Sequence, residues 1–215
     1  IQLSLLVFNL EAAPSVPRAV NGVIDLSNYN FETREAVKLS GDWRFFWKKF
    51  INPSLSDKEN IFNEGENIQV PGSWTHLKKT KKETKGYATY ILKLKGIKKG
   101  EELGIIVGRI FSNYNLFLIQ NKKVKKIFSS GITGPSKKSS TPQLLKGKNS
   151  FTSEGNDILL VLHVSNYHYR EGKIFLDFKI GKKEKVFREF SKTEYRKYFY
   201  VGDLLAEKAF LSLFH

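Results

Sequence analysis

A period of two runs through most of this sequence and restricts it to folds built from extended strands. In GDWRFFW (residues 41–47), Trp43, Phe45 and Trp47 alternate with Arg44 and Phe46, which predicts the three rings on one face of a strand. In YATYILKLKG, Tyr90, Leu92 and Leu94 alternate with Ile91, Lys93 and Lys95, so the first set is expected to face a core and the second largely to face water. ELGIIVGRIFSNYNLFLIQNKKVKKIF reads as two or three strands, with a hairpin in IQNKKV at Asn121, a residue that tolerates the positive φ of a tight turn. GNDILLVLHVSN is a strand entered through a Gly-Asn-Asp turn, and KIFLDFKIG is another, with Ile174, Leu176, Phe178 and Ile180 on one side. Short strands punctuated by turn signals predict an all-β jelly-roll sandwich rather than an α/β protein.

Two stretches break the pattern. Residues 129–156, rich in Ser, Gly, Lys and Pro, are expected to form a long loop. From about Lys192 the spacing turns helical, which predicts one helix after the sandwich, broken near Gly202. At the start, IQLSLLVFNLEAAPS has the length and small-residue ending of a signal-peptide core, with a buried strand or helix as the competing reading. The expected organisation is a leader over 1–19, a jelly-roll domain over 20–190, and a juxtamembrane helix or the start of a transmembrane helix over 191–215. A chain of 215 residues can support one such core without staples.

Composition removes several chemistries. The absence of cysteine excludes disulfides, thiolate metal sites and cysteine nucleophiles. The net charge of +15 comes from 36 Lys plus Arg against 21 Asp plus Glu. The lysines fall in doublets such as Lys78-Lys79, Lys122-Lys123 and Lys137-Lys138 at turns and strand ends, where they keep sheet edges solvated. Nucleic acid is therefore not expected as a partner. The sequence has no Gly-rich phosphate loop, no His pair at metal spacing and no Gly-x-Ser-x-Gly elbow, so neither an enzyme, a cofactor nor a metal site is expected.

Binding has more support. Trp74 and His76 in PGSWTH, and Asn166, Tyr167, His168, Tyr169 and Arg170 in SNYHYREG, put aromatic rings beside planar hydrogen-bonding groups, the chemistry that holds a carbohydrate or another small polar ligand. Tyr114 and Arg109 complete the candidate set, although Arg109 serves equally well as an ion-pair partner. Trp43 and Trp47 read as core, Trp74 as either core or site, and His163 as a half-buried strand histidine with its own partner. The triplet SNY recurs at Ser27, Ser112 and Ser165 with unequal spacing, each time at a strand boundary where turn chemistry favours Ser and Asn.

The order of the segments LSGDWRFFW, IQVPGSW, GYATYILKL, NYNLFLIQNKKV and GNDILLVLHVSNYHYREGKI resembles the galactose-binding-like jelly roll that precedes the catalytic domain in family 2 glycosidases. With NGVIDLS at 21–27 and SNYHYREG at 165–172, it is more similar to the extracytoplasmic domain of bacterial seven-transmembrane receptors with diverse intracellular signalling modules (7TMR-DISM). The resemblance covers about residues 20–181. It departs from the pattern at Asn121-Lys122 in place of Asn-Gly, at Tyr90-Ile91 in place of Tyr-Arg, and at Lys173 in place of a second Gly. It implies a periplasmic sensor domain on the extracytoplasmic side of the bacterial inner membrane. Its ligand would be a carbohydrate or small polar molecule held by Trp74, His76, Arg109, Tyr114, Asn166, His168 and Arg170, and its other partners its own transmembrane region and, in a homodimer, a second copy. The alternatives are a carbohydrate-binding accessory domain of a secreted glycosidase and a dimerisation module without a ligand.

Overall fold

In the computed structural model the chain is an all-β jelly-roll sandwich. The structure describes residues 16–55, 59–108, 110, 112–143, 145–155, 157–170, 173–174 and 178–193. In chain order the strands are β1 (Val23–Asp25), β2 (Val37–Lys38), β3 (Gly41–Trp47), β4 (Glu66–Val70), β5 (Gly72–Ser73), β6 (Gly86–Lys95), β7 (Glu102–Val107), β8 (Asn113–Gln120), β9 (Lys123–Ser130), β10 (Gly147–Thr152), β11 (Ile158–Asn166), β12 (Lys173–Ile174) and β13 (Lys179–Lys182). A short helix α1 (Glu59–Glu64) precedes β4, and residues 183–193 form helix α2.

The larger sheet has the order β4-β3-β6-β11-β8-β9, with β1 lying parallel beside the end of β6; the smaller runs β10-β7-β13-β2. The β6–β11 pair is the spine, in unbroken antiparallel register from Ile158↔Leu94 to Asn166↔Gly86. Trp43, Phe45, Tyr90, Leu92, Leu116, Leu160 and Leu162 on the large sheet pack against Leu103, Ile105, Val107 and Ile180 on the small one. The predicted alternation in β3 and β6 puts those side chains on the inner face.

The other face of the large sheet is not open to water over Ile91 and Phe46, as the alternation alone predicts. Both are buried with Ile119, Leu159 and Val161 in a second apolar layer, roofed by Ile51, Ile61 and Phe62. Arg44 fastens that roof: its guanidinium donates to the carbonyls of Phe62 (2.9 Å) and Asn63 (2.7 Å) in α1 and to the Asn67 side chain (2.7 Å). Thr89 accepts from the Ile51 N–H (3.0 Å) and donates to the Lys49 carbonyl (2.8 Å). His163 Nε2 stands 2.8 Å from the Ile51 carbonyl. A carbonyl can only accept, so Nε2 carries the proton.

Further differences from the sequence reading follow from packing. The expected 129–156 loop is cut short, because Gly147–Thr152 adds as a strand to β7 and Asn149 donates across the sandwich to the Ile127 carbonyl of β9 (2.8 Å), closing that side. KIFLDFKIG is not one strand: β12 pairs with β5, while β13 lies between β7 and β2. A helix already runs over residues 183–193, ahead of the stretch expected to be helical from about Lys192, with Val186 buried against Gly104 and Gly181 on the outside of the small sheet. A Cβ on Gly104 would stand 3.0 Å from the Val186 Cβ, so the bare backbone there lets α2 approach. Residues 1–15 of the expected 1–19 leader and the stretch 194–215, including Gly202, lie outside the described residues. Among the described residues no helix is long and apolar enough to cross a membrane.

The hairpin is as expected: Asn121 and Lys122 take φ of 46° and 62°, the two positive values of a type I′ turn. Replacing Lys122 with Gly removes the left-handed cost of a side chain, of order 1 kcal/mol, and is expected to raise the melting temperature; an unchanged or lower value would refute this account. Leu160→Ala, which empties the centre of the core, is expected to cost about 2–5 kcal/mol in chemical denaturation.

Candidate functional site

Pairing register gathers the candidate residues at one end of the sandwich. Trp47 pairs with Ala88 near the start of β6, Gly86 pairs with Asn166 at the end of β11, and Asn113 at the start of β8 pairs with Ser165. The 131–143 loop and the segment after Asn166 close this end together. Tyr167 donates its hydroxyl to the Pro135 carbonyl, Ser165 Oγ accepts from the Gly134 N–H (3.2 Å), and the Nε2 of His168 lies 3.2 Å from the Ser140 carbonyl and 3.3 Å from its hydroxyl. Asn115 holds the same loop from the strand side through Thr133 (2.7 Å).

The predicted residues separate into two groups. Trp74 is fully buried: its indole N–H donates to the Glu83 carbonyl (2.9 Å), and its ring lies 5.3 Å from that of Trp47. The turn that carries it is capped by the Ser73 hydroxyl and tied down by Thr80, which donates to the Trp74 carbonyl (2.8 Å). Tyr114 is also interior, donating to the Leu145 carbonyl (3.2 Å), and burial pushes its phenol pKa up to about 12. Asn166 is buried and serves the turn: it donates to the carbonyls of Thr84 (3.0 Å) and Tyr169 (3.2 Å) and accepts from the Tyr169 N–H (3.0 Å). In this structure these three present no surface to a ligand. A large ring or amide with its partners inside the fold contributes as framework.

His168 and Arg170 are exposed, as is His76 on the Trp74 turn, and no described contact joins His76 to His168. Arg109 lies outside the described residues. Sequence reasoning missed the neighbours that complete the surface. Lys85 donates to the Tyr169 carbonyl (2.9 Å), Lys48 pairs with Glu83 (2.9 Å), and the half-buried rings of Tyr87 and Phe50 lie 4.8 Å apart beside them. The one available signal was Tyr87, whose odd position in β6 directs it to the outer face. The Tyr167 phenol is held above its ordinary pKa, chiefly by burial and then by Tyr87 and Glu83. The surface offers a guanidinium, an imidazole and half-buried phenol rings, which can bind hydroxyls or a carboxylate. Among the described residues no cluster of three or more His, Asp or Glu is placed to hold a metal ion.

No protein-family model matches the chain, and no curated protein matches it. Solved structures similar to it include a GH2 beta-galacturonidase from Eisenbergiella tayi bound to galacturonate, at 13% identity and TM-score 0.46, covering 69% of this chain and 24% of that one. A calcium-binding mutant of Bacteroides uniformis beta-glucuronidase 2 matches at 15% identity and TM-score 0.46, over 68% of this chain and 18% of that one. A beta-glucuronidase from Ruminococcus gnavus in complex with uronic isofagomine matches at 14% identity and TM-score 0.41, over 62% and 22%. The chain spans less than a quarter of the length of these enzymes, and likeness of this degree carries no argument about activity.

Two outcomes test the assignment of roles. Asn166→Ala is expected to cost about 1–3 kcal/mol of stability, because it strands buried backbone groups, while His168→Ala and Arg170→Ala stay within about 0.5 kcal/mol; equal costs would reject the division. Burial holds the His163 pKa below its ordinary 6.5 despite the opposing bond to Ile51. The folded state therefore binds fewer protons than the unfolded chain, and the contribution is complete above pH 6.5 and lost as pH falls through the lower folded value. His163→Gln is expected to flatten the fall in melting temperature between pH 7 and lower pH; an identical profile would show that His163 is not the group responsible.

Proposed function

We propose that this chain is the extracytoplasmic ligand-sensing domain of a membrane-bound bacterial signalling receptor, and that it takes a carbohydrate or other small polar ligand at the end closed by residues 131–143 and 167–170. The observation that carries the reading is the division of labour within SNYHYREG. Asn166 holds the turn from inside, which fixes the backbone that presents His168 and Arg170 outward beside Tyr167. Support also comes from the order of the motifs, whose framework members lie on β3, β6, β8 and β11. The domain binds without performing chemistry. Signalling requires the ligand to favour one of two states of the domain or of its dimer, and α2 leads from the small sheet toward the remainder of the chain and, in this reading, the membrane.

The second reading, a carbohydrate-binding accessory domain of a secreted glycosidase, rests on the same surface. An apolar span after residue 215 in the parent gene favours the receptor, and a (β/α)₈ domain there favours the accessory module. The binding test is a thermal-shift screen of the chain against glucuronate, other small carboxylates and nucleosides, the ligands that an imidazole beside a guanidinium suits. A ligand at 100 times its Kd is expected to stabilise by about 2.7 kcal/mol, and His168→Ala and Arg170→Ala should abolish the shift while keeping the unliganded melting temperature. A shift that survives both substitutions would place the ligand elsewhere, and no shift with any compound would favour the dimerisation module.

A further inference from the structure

We propose that the cleft at the opposite end of the sandwich, between the Ser27–Glu32 loop and the 96–101 turn, is a binding site for a neutral polyhydroxylated molecule of monosaccharide size, and that helix α2 senses its occupancy through Lys182. The cleft encloses about 340 Å³, within the range of small-molecule sites. Its loop carries the first SNY triplet and is built before any ligand arrives. Asp25 accepts from the Ser27 N–H (2.9 Å), Asn30 accepts from the Glu32 N–H (2.9 Å), and the Tyr29 hydroxyl donates to the Glu35 carbonyl (2.7 Å). Gly96, at φ +77°, lets the loop lie directly on the turn, since a Cβ there would come within 2.4 Å of the Ser27 backbone.

The lining suits hydroxyl groups. Asn28 is exposed and its amide has no hydrogen-bond partner among the described residues, so it offers both a donor and an acceptor. Glu32 and Glu101 both pair with Lys182, the latter at 3.5 Å. A carboxylate has about four acceptor positions, so each retains capacity for a ligand O–H while holding the ammonium. Around the loop the carboxylates of Asp25, Glu32, Glu35 and Glu101 stand against Lys98, Lys182, Lys185 and the Arg34 guanidinium over the Tyr29 ring (5.1 Å). That balance favours a neutral ligand, because a net charge on the ligand would meet no surplus of the opposite sign. Tyr29 and Phe31, edge to face at 5.2 Å, form the apolar part of the wall.

The coupling to α2 is direct. Lys182 is the last residue of β13 and α2 starts at the next position. Lys185, in the first turn of α2, donates to the carbonyls of Glu32 (2.7 Å) and Arg34 (3.0 Å). The loop that walls the cleft is therefore also the strap that holds the root of the helix. A ligand that tightens Glu32 and Glu101 around Lys182 tightens that root.

The inference stands apart from the proposed site at the other end, and one experiment separates them. The full chain is titrated with D-glucose and D-galactose by calorimetry, with D-glucuronate as the charged comparator, and amide hydrogen exchange is followed over residues 183–190. The expected result is saturable binding of a neutral hexose that Asn28→Ala and Glu101→Gln each weaken about tenfold, that His168→Ala leaves unchanged, and that slows exchange in the first turns of α2. Asn28→Ala removes no bond of the fold, so it remains readable if Glu101→Gln lowers stability. Absence of hexose binding overturns the inference. Binding lost in His168→Ala but kept in Asn28→Ala also overturns it, while leaving the proposed function standing. Binding at the cleft with unaltered exchange in α2 overturns the coupling.

Discussion

Everything else in this molecule is registered on the β6–β11 pair. Nine consecutive residue pairs run from Ile158↔Leu94 to Asn166↔Gly86, and β11 is buried on both faces along nearly all of its length. A slip of one residue would exchange the side chains facing the small sheet with those facing the roof of Ile51, Ile61 and Phe62. Leu160 and Leu162 would then trade places with Leu159 and Val161, and His163 would enter the core. The strand is thus fixed by two apolar layers rather than one, which is why its composition is almost continuously hydrophobic.

That constraint reaches the loops at both ends. At one end it sets Asn166 beside Gly86, where the amide finds the Thr84 carbonyl and turns the chain back through Tyr169. At the other it brings the exit of β6 against β1, and so the 96–101 turn against the Ser27 loop. Both clusters of polar residues are therefore placed by the same ladder, at opposite ends of one rigid pair. The root of the C-terminal helix is tied to the Ser27 loop through Lys182 and Lys185.

Much of the candidate site was legible in the sequence as residue type and position, but not as orientation. SNYHYREG was recognisable as a strand-to-loop junction, and His168 and Arg170 do face outward. Trp74 carried an even balance between core and site, and its burial rests on the Glu83 carbonyl and on the ring of Trp47, which lies on a different strand. Tyr114 was lost to the interior for a related reason: in β8 it pairs with Val164, on the face turned to the small sheet. The Ser27 loop was readable only as turn chemistry, because its cleft is made by residues nearly seventy positions further on and its ion pairs by residues more than eighty positions beyond those.

By itself the sequence determined the strand-rich class, the inner faces of β3 and β6, the Asn121-Lys122 hairpin, and the absence of thiol chemistry, since each depends on near neighbours in the chain and on the pleat that alternates them. Only the tertiary structure decided that Ile91 and Phe46 are covered, that KIFLDFKIG divides between two sheets, that α2 starts at residue 183, and which aromatic residues are framework and which are surface. Those outcomes depend on what packs against a face from far along the chain. Alternation gives each strand two sides, and only the assembled layers give each side its neighbour.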